Sequence, residues 1–299
     1  MTWFLLALLS ALLLGVYDVC KKQALQANAV IPVLFLNTAL CALLSGAFCL
    51  VKDPAALMPP AGNELRATGL VALKAIIVLS SWLCGYFAIK HLPLTLVGPV
   101  NATRPVLVLT GAVILFGEHL NPWQWAGVSL AVIALFLLKR SSSREGIRWT
   151  HNRWVALLIL AALLGAASGL YDKYILSPSG AGLNNFFVQT GFTAIQALLM
   201  LIIAAFLWWP KRQEQPFHWH PAIIGVSLFL TAADMVYFYA LTHPAAMISI
   251  VSMVRRCSVL VSFAYGAFFL REKNLRAKLV DLLLLLLSLV CLAMGASAT

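Results

Sequence analysis

Charged residues are scarce in this sequence. Only 10% of its 299 residues are Asp, Glu, Lys or Arg, whereas 62% are hydrophobic and the mean hydropathy is +0.92. A soluble domain usually contains about 25% charged residues, so the composition excludes a soluble globular protein. A membrane span takes roughly 20 apolar residues, and the length therefore accommodates about ten spans and no sizeable aqueous domain.

Acidic residues are scarcer than basic ones: the chain has 10 Asp and Glu against 21 Lys and Arg, a formal net charge of +11. Such an excess indicates a nucleic-acid partner when the charges form a stripe interleaved with aromatic residues. Here the basic residues are scattered over short loops. We therefore expect no nucleic-acid partner and interpret these residues as a signal of membrane topology.

Catalytic and metal-binding motifs are also missing. The six cysteines show neither CxxC nor Cys/His ligand spacing, so we interpret them as packing residues of membrane helices. The sequence has no HExxH zinc helix, no Walker loop and no paired-acid motif. We expect no enzymatic activity, no metal and no cofactor.

Ten apolar runs, bounded by charged, Pro or Asn residues, predict ten transmembrane helices. The first run has no positive region before it and is followed by Lys21 and Lys22, the reverse of a cleavable signal peptide, so we expect it to be retained. The expected fold class is an all-α integral membrane protein. The predicted helices cover residues 2–20, 31–51, 68–90, 93–116, 122–138, 153–175, 184–208, 221–241, 245–270 and 276–296.

The two halves of the chain share landmarks. The sequence GVYD at Gly15–Asp18 recurs as GLYD at Gly169–Asp172. Glu118 recurs at the same offset as Glu272. Because each half has an odd number of spans, the halves enter the membrane from opposite sides, which predicts two inverted five-helix repeats of the kind found in secondary transporters. The expected boundaries are 1–140 for the first repeat, 141–152 for a basic linker and 153–299 for the second repeat.

Two regions of the sequence carry a family resemblance. The segment LFGEHLNPWQWAGVSLAVIALFLL at 115–138 resembles the end of the five-helix repeat of the EamA family, in the drug/metabolite transporter superfamily, and the likeness extends over essentially the whole chain. Residues 252–260 and 269–273 resemble EamA-type bacterial permeases with an Arg pair in the ninth helix. The resemblance implies a ten-helix carrier of the bacterial inner membrane with alternating access. It also implies a central cavity lined mainly by helices one, three, four, six, eight and nine.

The loop charges and the resemblance disagree about orientation. Cytoplasmic loops carry the excess of Lys and Arg, and the lopsided count here predicts that both termini lie outside. Ten-helix relatives are usually drawn with both termini in the cytoplasm, and we follow the charges. The predicted cytoplasmic side carries Lys21, Lys22, Lys90, Lys139, Arg140, Arg144, Arg148, Arg153, Lys211, Arg212, Arg271, Lys273, Arg276 and Lys278, against Lys52, Arg66 and Lys173 on the other.

Two adjacent arginines lie in the middle of the predicted ninth helix. A charge at the centre of a span costs about 2.5–3.5 kcal/mol on insertion scales, so at least one of Arg255 and Arg256 is expected to face the cavity. Ser252 shares the face of Arg256. Guanidinium groups suit a carboxylate or a phosphate by bidentate geometry. The alternative is an intramembrane ion pair that holds helices together.

Arg104 in the predicted fourth helix has two similar interpretations. It lies on one face with Asn101 and is bracketed by Pro99 and Pro105, which remove backbone donors and open the helix locally. Carbonyl groups freed in this way can line a binding site. The alternative is a kinked helix in which Arg104 pairs with an acid.

The deepest acid is Asp234 in the predicted eighth helix, with Thr231 and Tyr237 on its face. It is expected either to pair with an arginine of the ninth helix or to serve as a proton site, and both interpretations stay open. Asp18 and Asp172 lie near helix ends beside lysines. We expect them to form interfacial ion pairs.

Several other side chains are expected at the cavity or between helices. Trp82 and Tyr86 share a face of the third helix and are expected to form cavity walls together with Tyr237. Glu118 and Glu272 are expected to cap helices or to join the repeats. A polar stripe on the seventh helix is expected to hold helices together. The stripe consists of Asn185, Gln189, Thr193 and Gln196.

Together these residues predict a secondary carrier of a small polar metabolite. A carboxylate- or phosphate-bearing substrate, such as an amino acid or a related anion, is favoured because Arg104, Arg255 and Arg256 outnumber Asp234. The alternatives are an exporter of cationic or amphiphilic compounds and a flippase for lipid-linked substrates. The expected partners are the substrate and the lipid bilayer, and both a monomer and a homodimer stay open.

Overall fold

The structure is a computed structural model, and it is helical throughout its described part. It describes residues 2–26, 28–59, 62–116, 121–143, 152–176, 180–214, 217–241, 254–270 and 275–297. Within these ranges it contains helices and turns and no strand. The all-α fold class is therefore confirmed for this part of the chain. Glu118, Glu272, Ser252 and linker residues 144–151 lie outside the described ranges.

Long α-helices follow one another along the chain with short connections. A 3₁₀ turn at Pro54–Leu57 follows the second helix. The eighth continues through a π-helical turn at Ala204–Trp208 and a 3₁₀ turn at Trp209–Lys211. The α-helices named here are α1 (Thr2–Gln26), α2 (Val30–Lys52), α3 (Glu64–His91), α4 (Leu94–Ala102), α5 (Arg104–Phe116), α6 (Pro122–Ser143), α7 (Arg153–Leu176), α8 (Asn185–Ile203), α9 (Ala222–Leu241), α10 (Ser258–Phe268) and α11 (Leu275–Ser297).

The first helix is longer than the sequence predicts. α1 ends at Gln26 instead of residue 20, so Lys21 and Lys22 lie inside it. Lys22 Nζ donates to the carbonyl oxygens of Ile89, at 2.6 Å, and Leu92, at 2.7 Å, at the end of α3. The last carbonyls of a helix have no N–H partner in that helix. Lys22, in the additional turns of α1, thus donates to the carbonyl groups at the end of α3.

The single helix predicted over 93–116 is two helices. Thr103 interrupts it, with ψ of −7°, and the Thr103 N–H bonds to the Val100 carbonyl three residues back, at 3.3 Å. Pro105 contributes because it has no N–H to donate. Residues 254–256 are also helical and are separated from α10 by Cys257, which again has ψ of −7° and an N–H bond to Val254, at 2.9 Å. The described residues around this second break include no proline, so proline is not its cause.

The helices of the two halves pack in reciprocal pairs. α1 packs on α9, and α3 packs on α7. α2 packs on α8, α6 on α11 and α4 on α10. With α7 counted as the first helix of the second half, the first helix of each half thus contacts the third helix of the other. The second, fourth and fifth helices each contact their own counterpart.

The outer surface of the bundle is apolar. Leu43, Leu198 and Leu283 are examples of large side chains that are exposed on it. Exposed apolar surface on this scale is unfavourable in water and marks contact with lipid, which is the environment of a multi-pass membrane protein. Within the described residues, Val30–Lys52, Glu64–His91, Arg153–Leu176, Asn185–Lys211 and Lys278–Gly295 are long and apolar enough to cross a membrane, and Pro122–Leu138 and Ala222–Tyr237 are shorter apolar segments.

Candidate functional site

Three arginines gather at the two helix breaks. Arg104 is the first residue of α5, directly after the break at Thr103. Arg255 and Arg256 directly precede the break at Cys257. Arg256 interacts electrostatically with both of the others. We call these three residues the arginine cluster.

Close backbone packing brings the breaks together. A Cβ atom on Gly98 of α4 would lie 2.7 Å from Val259 Cγ2 at the start of α10. Ala102, the last residue of α4, packs in one buried cluster with Val259. A Cβ atom on Gly165 of α7 would lie 2.8 Å from Arg104 Cζ. The small residues at these two positions therefore allow α4 to meet α10 and the Arg104 guanidinium to lie against α7.

Arg255 is paired, but the cluster keeps spare hydrogen-bonding capacity. Arg255 forms an ion pair with Asp234 of α9, and its guanidinium lies 4.5 Å from the centre of the Tyr237 ring. The buried Nε atoms of Arg104 and Arg255 and the buried Oδ1 atom of Asn101 have no hydrogen-bond partner among the described residues. A guanidinium carries five donors in a fixed plane. The site can therefore receive an acceptor such as a carboxylate or a phosphate.

Positive charge exceeds negative charge around the cluster. Asp18 interacts electrostatically with Arg104 and Arg256, but it also forms an ion pair with Lys21 of the same helix, at 2.7 Å. Lys21 Nζ lies 4.3 Å from the centre of the Tyr17 ring. Among the described residues, the three arginines and Lys21 carry four positive charges. Asp18 and Asp234 carry only two negative ones. This leaves an excess of two positive charges.

A separate cavity, with a mostly apolar surface and several polar side chains in its wall, adjoins the ion pair of Asp234. It encloses about 70 Å³ between α2, α3, α8 and α9, and Asp234 lies in its wall. Trp82, Phe186 and Phe192 contribute aromatic surface to it. The polar residues in its wall, besides Asp234, are Cys41, Ser45, Asn185, Gln189, Thr190, Thr193 and Thr231.

The residues proposed from the sequence separate into these two places. Arg104, Arg255, Arg256, Asn101 and Tyr237 belong to the region of the helix breaks, and Trp82 lies in the cavity wall, whereas Asp234 belongs to both. Tyr86 does not line the cavity: it is 2% exposed and lies 5.4 Å from Lys21 Nζ. Ser252 lies outside the described residues.

One residue of the polar stripe of α8 joins two helices, and three residues of the stripe line the cavity. Thr193 Oγ1 lies 3.0 Å from Ser45 Oγ of α2, which joins the two helices as expected for the stripe. Asn185, Gln189 and Thr193 nevertheless form part of the cavity wall. Sequence reasoning did not anticipate the contribution of α2. The signal available was a run of polar residues four positions apart, Asn37, Cys41 and Ser45.

Lys74 is a further charged residue that sequence reasoning missed. It is 6% exposed and forms an ion pair with Asp172, which joins α3 to α7. Its Nζ atom also lies 4.8 Å from the centre of the Phe192 ring. The signal was a lysine inside the apolar run 68–90, where an ionisable residue is costly and needs a partner.

Comparison with known proteins identifies the first half of the chain and the overall fold. Residues 1–140 match the EamA-like transporter family. Among solved structures, 22 chains match, and one of these, a crystal structure of a protein at 16% identity, has a TM-score of 0.62 and covers 99% of this chain and 98% of its own. At this identity the likeness shows a shared fold. No curated protein matches the chain.

Proposed function

Because residues 1–140 of this chain match the EamA-like transporter family, we propose that it is a secondary transporter of small polar anions. The favoured substrate is a metabolite with a carboxylate or a phosphate group, an amino acid or a related anion included. It binds at the arginine cluster, between the two halves of the chain. The family and the apolar helices make the chain a multi-pass membrane protein with a small molecule as its partner.

The positive excess at the helix breaks carries this proposal. An uncompensated charge within a membrane is costly and needs a counter-ion. Asp18 and Asp234 supply only part of that compensation, and the Nε atoms of Arg104 and Arg255 have no partner among the described residues. An anionic substrate supplies both the missing charge and the missing acceptors.

Alternating access follows from two inverted five-helix repeats, at 1–140 and 153–299, joined by the linker 141–152. The reciprocal packing of α1 on α9 and of α3 on α7 supports the repeats. The matching breaks at Thr103 and Cys257 support them too. Pockets for small molecules usually measure about 300–1,000 Å³. The cavity beside Asp234, of about 70 Å³, is too small to admit a metabolite, so we infer that the substrate reaches the arginine cluster in a more open state.

A second candidate substrate class is cationic or amphiphilic compounds. Asp234 and the aromatic rings of Trp82, Phe186 and Phe192 line the same cavity, and a cation is attracted by both a carboxylate and a ring face. A related hypothesis is a flippase for lipid-linked substrates, in which the arginine cluster binds the phosphate of the lipid. The arginine excess favours the small anion over both.

Thermal stability of detergent-purified protein tests the substrate class. We expect anions such as succinate or glycerol phosphate to raise the melting temperature, whereas putrescine and tetraphenylphosphonium do not. A ligand that binds only the folded protein adds about 2.7 kcal/mol to the free energy of unfolding at about 100 times its dissociation constant. Arg104→Gln should remove the shift. The exposed Arg66 provides the matched control, Arg66→Gln, which should keep it.

The opposite pattern would overturn the proposal. If only the cations stabilise the protein, and Asp234→Asn removes their effect, the site belongs to the second substrate class. If anions stabilise Arg104→Gln and the wild type equally, the arginine cluster is not the binding site.

We propose that both termini lie outside the cytoplasm, with the bacterial inner membrane as the location. Lys22 caps α3 and Lys90 Nζ donates to the Asn28 carbonyl at 2.7 Å, so part of the basic side also has a packing role. A reporter that is active only in the cytoplasm, fused after Thr299, should be inactive. Activity of that fusion, together with inactivity of the same reporter placed in the linker 144–151, would reverse the orientation.

A further inference from the structure

Asp234 lies between the arginine cluster and the cavity. On one side it holds Arg255 of the arginine cluster, and on the other it forms part of the cavity wall. Its side chain is 28% exposed and that of Arg255 is 18% exposed. The ion pair is therefore reachable from the cavity, and an anion that approaches Arg255 competes directly with the Asp234 carboxylate.

A line of polar side chains runs from the region of Asp234 between α2 and α9. Thr231 Oγ1 donates to Cys41 Sγ at 3.8 Å, and Cys41 Sγ donates to Asn37 Oδ1 at 3.6 Å. Ser227 Oγ donates to the same Asn37 Oδ1 at 3.0 Å. Cys41, Asn37 and Ser227 are at most 5% exposed. We call Thr231, Cys41, Asn37 and Ser227 the polar track.

The track begins in the cavity wall, because Thr231 and Cys41 line the cavity, and it continues to the buried Asn37 and Ser227. The track leads along α9 from Asp234 toward the start of that helix, near Ala222. The cavity extends to Asn185 at the start of α8. Because α8 and α9 are consecutive spans, their starts lie at opposite faces. The cavity thus gives Asp234 a path toward the face at the start of α8, and the track extends from the cavity toward the other face as far as Ser227.

Few other ionisable groups face Asp234 in the described part of the chain. Arg255 forms the ion pair, Tyr237 is on the same helix, and Cys41 of α2 interacts with Asp234 electrostatically. The residues of α8 in the cavity wall are uncharged. α1 approaches with Ser10, whose hydroxyl donates to the Ala233 carbonyl at 2.8 Å.

We propose that Asp234 couples each transported anion to one proton, in symport, with the Thr231 hydroxyl and the Cys41 thiol of the polar track as the proton's route from the cavity. This inference rests on the proposed function, because the anion is what displaces Asp234 from Arg255. Removing one partner of a buried ion pair leaves an uncompensated charge, which is strongly unfavourable. Protonation of the displaced carboxylate removes that charge.

The charge of the site then stays constant through the cycle. In the empty state Arg255 and Asp234 neutralise each other. In the loaded state the anion neutralises Arg255, and a proton taken from water has formed an O–H bond on Asp234. On release the anion leaves, that O–H bond breaks, the proton returns to water on the other side, and the carboxylate pairs with Arg255 again. Hydroxyl and thiol groups both donate and accept, so Thr231 and Cys41, which lie in the cavity wall, can pass the proton on, whereas the amide of Asn37 cannot.

Two assays in proteoliposomes separate coupling from binding. The probe is a radiolabelled monoanion, chosen as the one that stabilises the protein most. Counterflow exchange needs only the loaded carrier, whereas accumulation needs the coupled proton. With the interior one pH unit more alkaline, we expect the wild type to accumulate the probe about tenfold, because one pH unit is a tenfold proton ratio.

Asp234→Asn should abolish this accumulation, and the counterflow exchange that it retains should no longer depend on pH, because the amide cannot carry the proton. Asp172→Asn is the matched control: it also changes a membrane aspartate, lies away from the track, and should still accumulate the probe. Cys41→Ala should slow accumulation about tenfold more than it slows exchange, and Cys41→Ser should restore accumulation, because a hydroxyl can replace the thiol as a relay.

The other possible results of these assays would each contradict a particular part of the proposal. Exchange by the wild type without pH-driven accumulation refutes coupling and leaves the proposed function standing, whether or not any variant folds. Accumulation by Asp234→Asn refutes the role of Asp234. Unchanged accumulation in Cys41→Ala refutes the track. Absence of exchange of any anion by the wild type refutes the proposed function and the coupling with it.

Discussion

Replacing Arg256 by Gln is expected to reduce anion exchange in proteoliposomes by about 100-fold while the protein remains folded. That factor corresponds to about 2.7 kcal/mol, the scale of a charge-assisted hydrogen-bonded contact. Arg256 interacts electrostatically with Arg104 and Arg255, and no ion pair of Arg256 is present in the described part of the chain. Its loss should therefore remove anion affinity without breaking an internal pair. Arg104→Gln is expected to act in the same direction.

Arg256→Lys separates charge from geometry in this site. Lysine keeps the positive charge but loses the planar donor fork, so we expect an intermediate rate, about tenfold below the wild type. Arg66→Gln, which removes an exposed arginine, should leave exchange unchanged. Wild-type exchange in a folded Arg256→Gln protein would show that Arg256 does not contact the anion. A variant that loses its thermal transition would instead identify Arg256 as a structural residue.

Gly15→Ala is expected to destabilise the folded protein. A Cβ atom at Gly15 of α1 would lie 2.3 Å from Val261 Cβ of α10, closer than two carbon atoms can approach. Overpacking of this kind costs about 1–3 kcal/mol, and here it forces α1 away from the helix that follows the second break. We expect a lower melting temperature for the purified protein and a loss of transport.

Gly169→Ala is the matched comparison, because Gly169 occupies the same place in the second GxYD motif. Its nearest neighbour would be Val108 Cγ2 at 3.4 Å, an ordinary contact. Alanine is also favoured over glycine within a helix by about 1 kcal/mol. The melting temperature of Gly169→Ala should therefore equal or exceed that of the wild type. Adding Val261→Ala should restore Gly15→Ala, and equal destabilisation by both glycine variants would contradict the steric explanation.

These glycines show how sequence and structure divide the information. The shared GxYD motifs predict from the sequence alone that α1 and α7 correspond. The sequence could not show that one glycine is in tight contact and the other is not. That difference depends on Val261 and Val108, which lie far away in the chain and are brought close only by packing.

The same division holds for the acids of the site. The sequence left open whether Asp234 pairs with Arg255 or Arg256 or serves as a proton site, and the structure shows a pair with Arg255. The sequence places Asp18 and Asp172 beside lysines of their own helices, but Asp172 pairs with Lys74 of another helix. A local charge pair can be read from spacing along one helix, as for Asp18 and Lys21. A pair between helices requires their relative rotation and depth, which spacing does not contain.

What the sequence by itself determined is the membrane environment, the helical class, the approximate spans and the family resemblance, all of which follow from composition, the lengths of apolar runs and local motifs. Only the tertiary structure decided that two breaks meet at the arginine cluster. It also decided that α2 and α8 help to line the cavity and that the polar track leads to Asp234. These features arise where several helices converge. Apolarity directs each helix into the membrane, but only the packing between helices decides which polar side chains share a site.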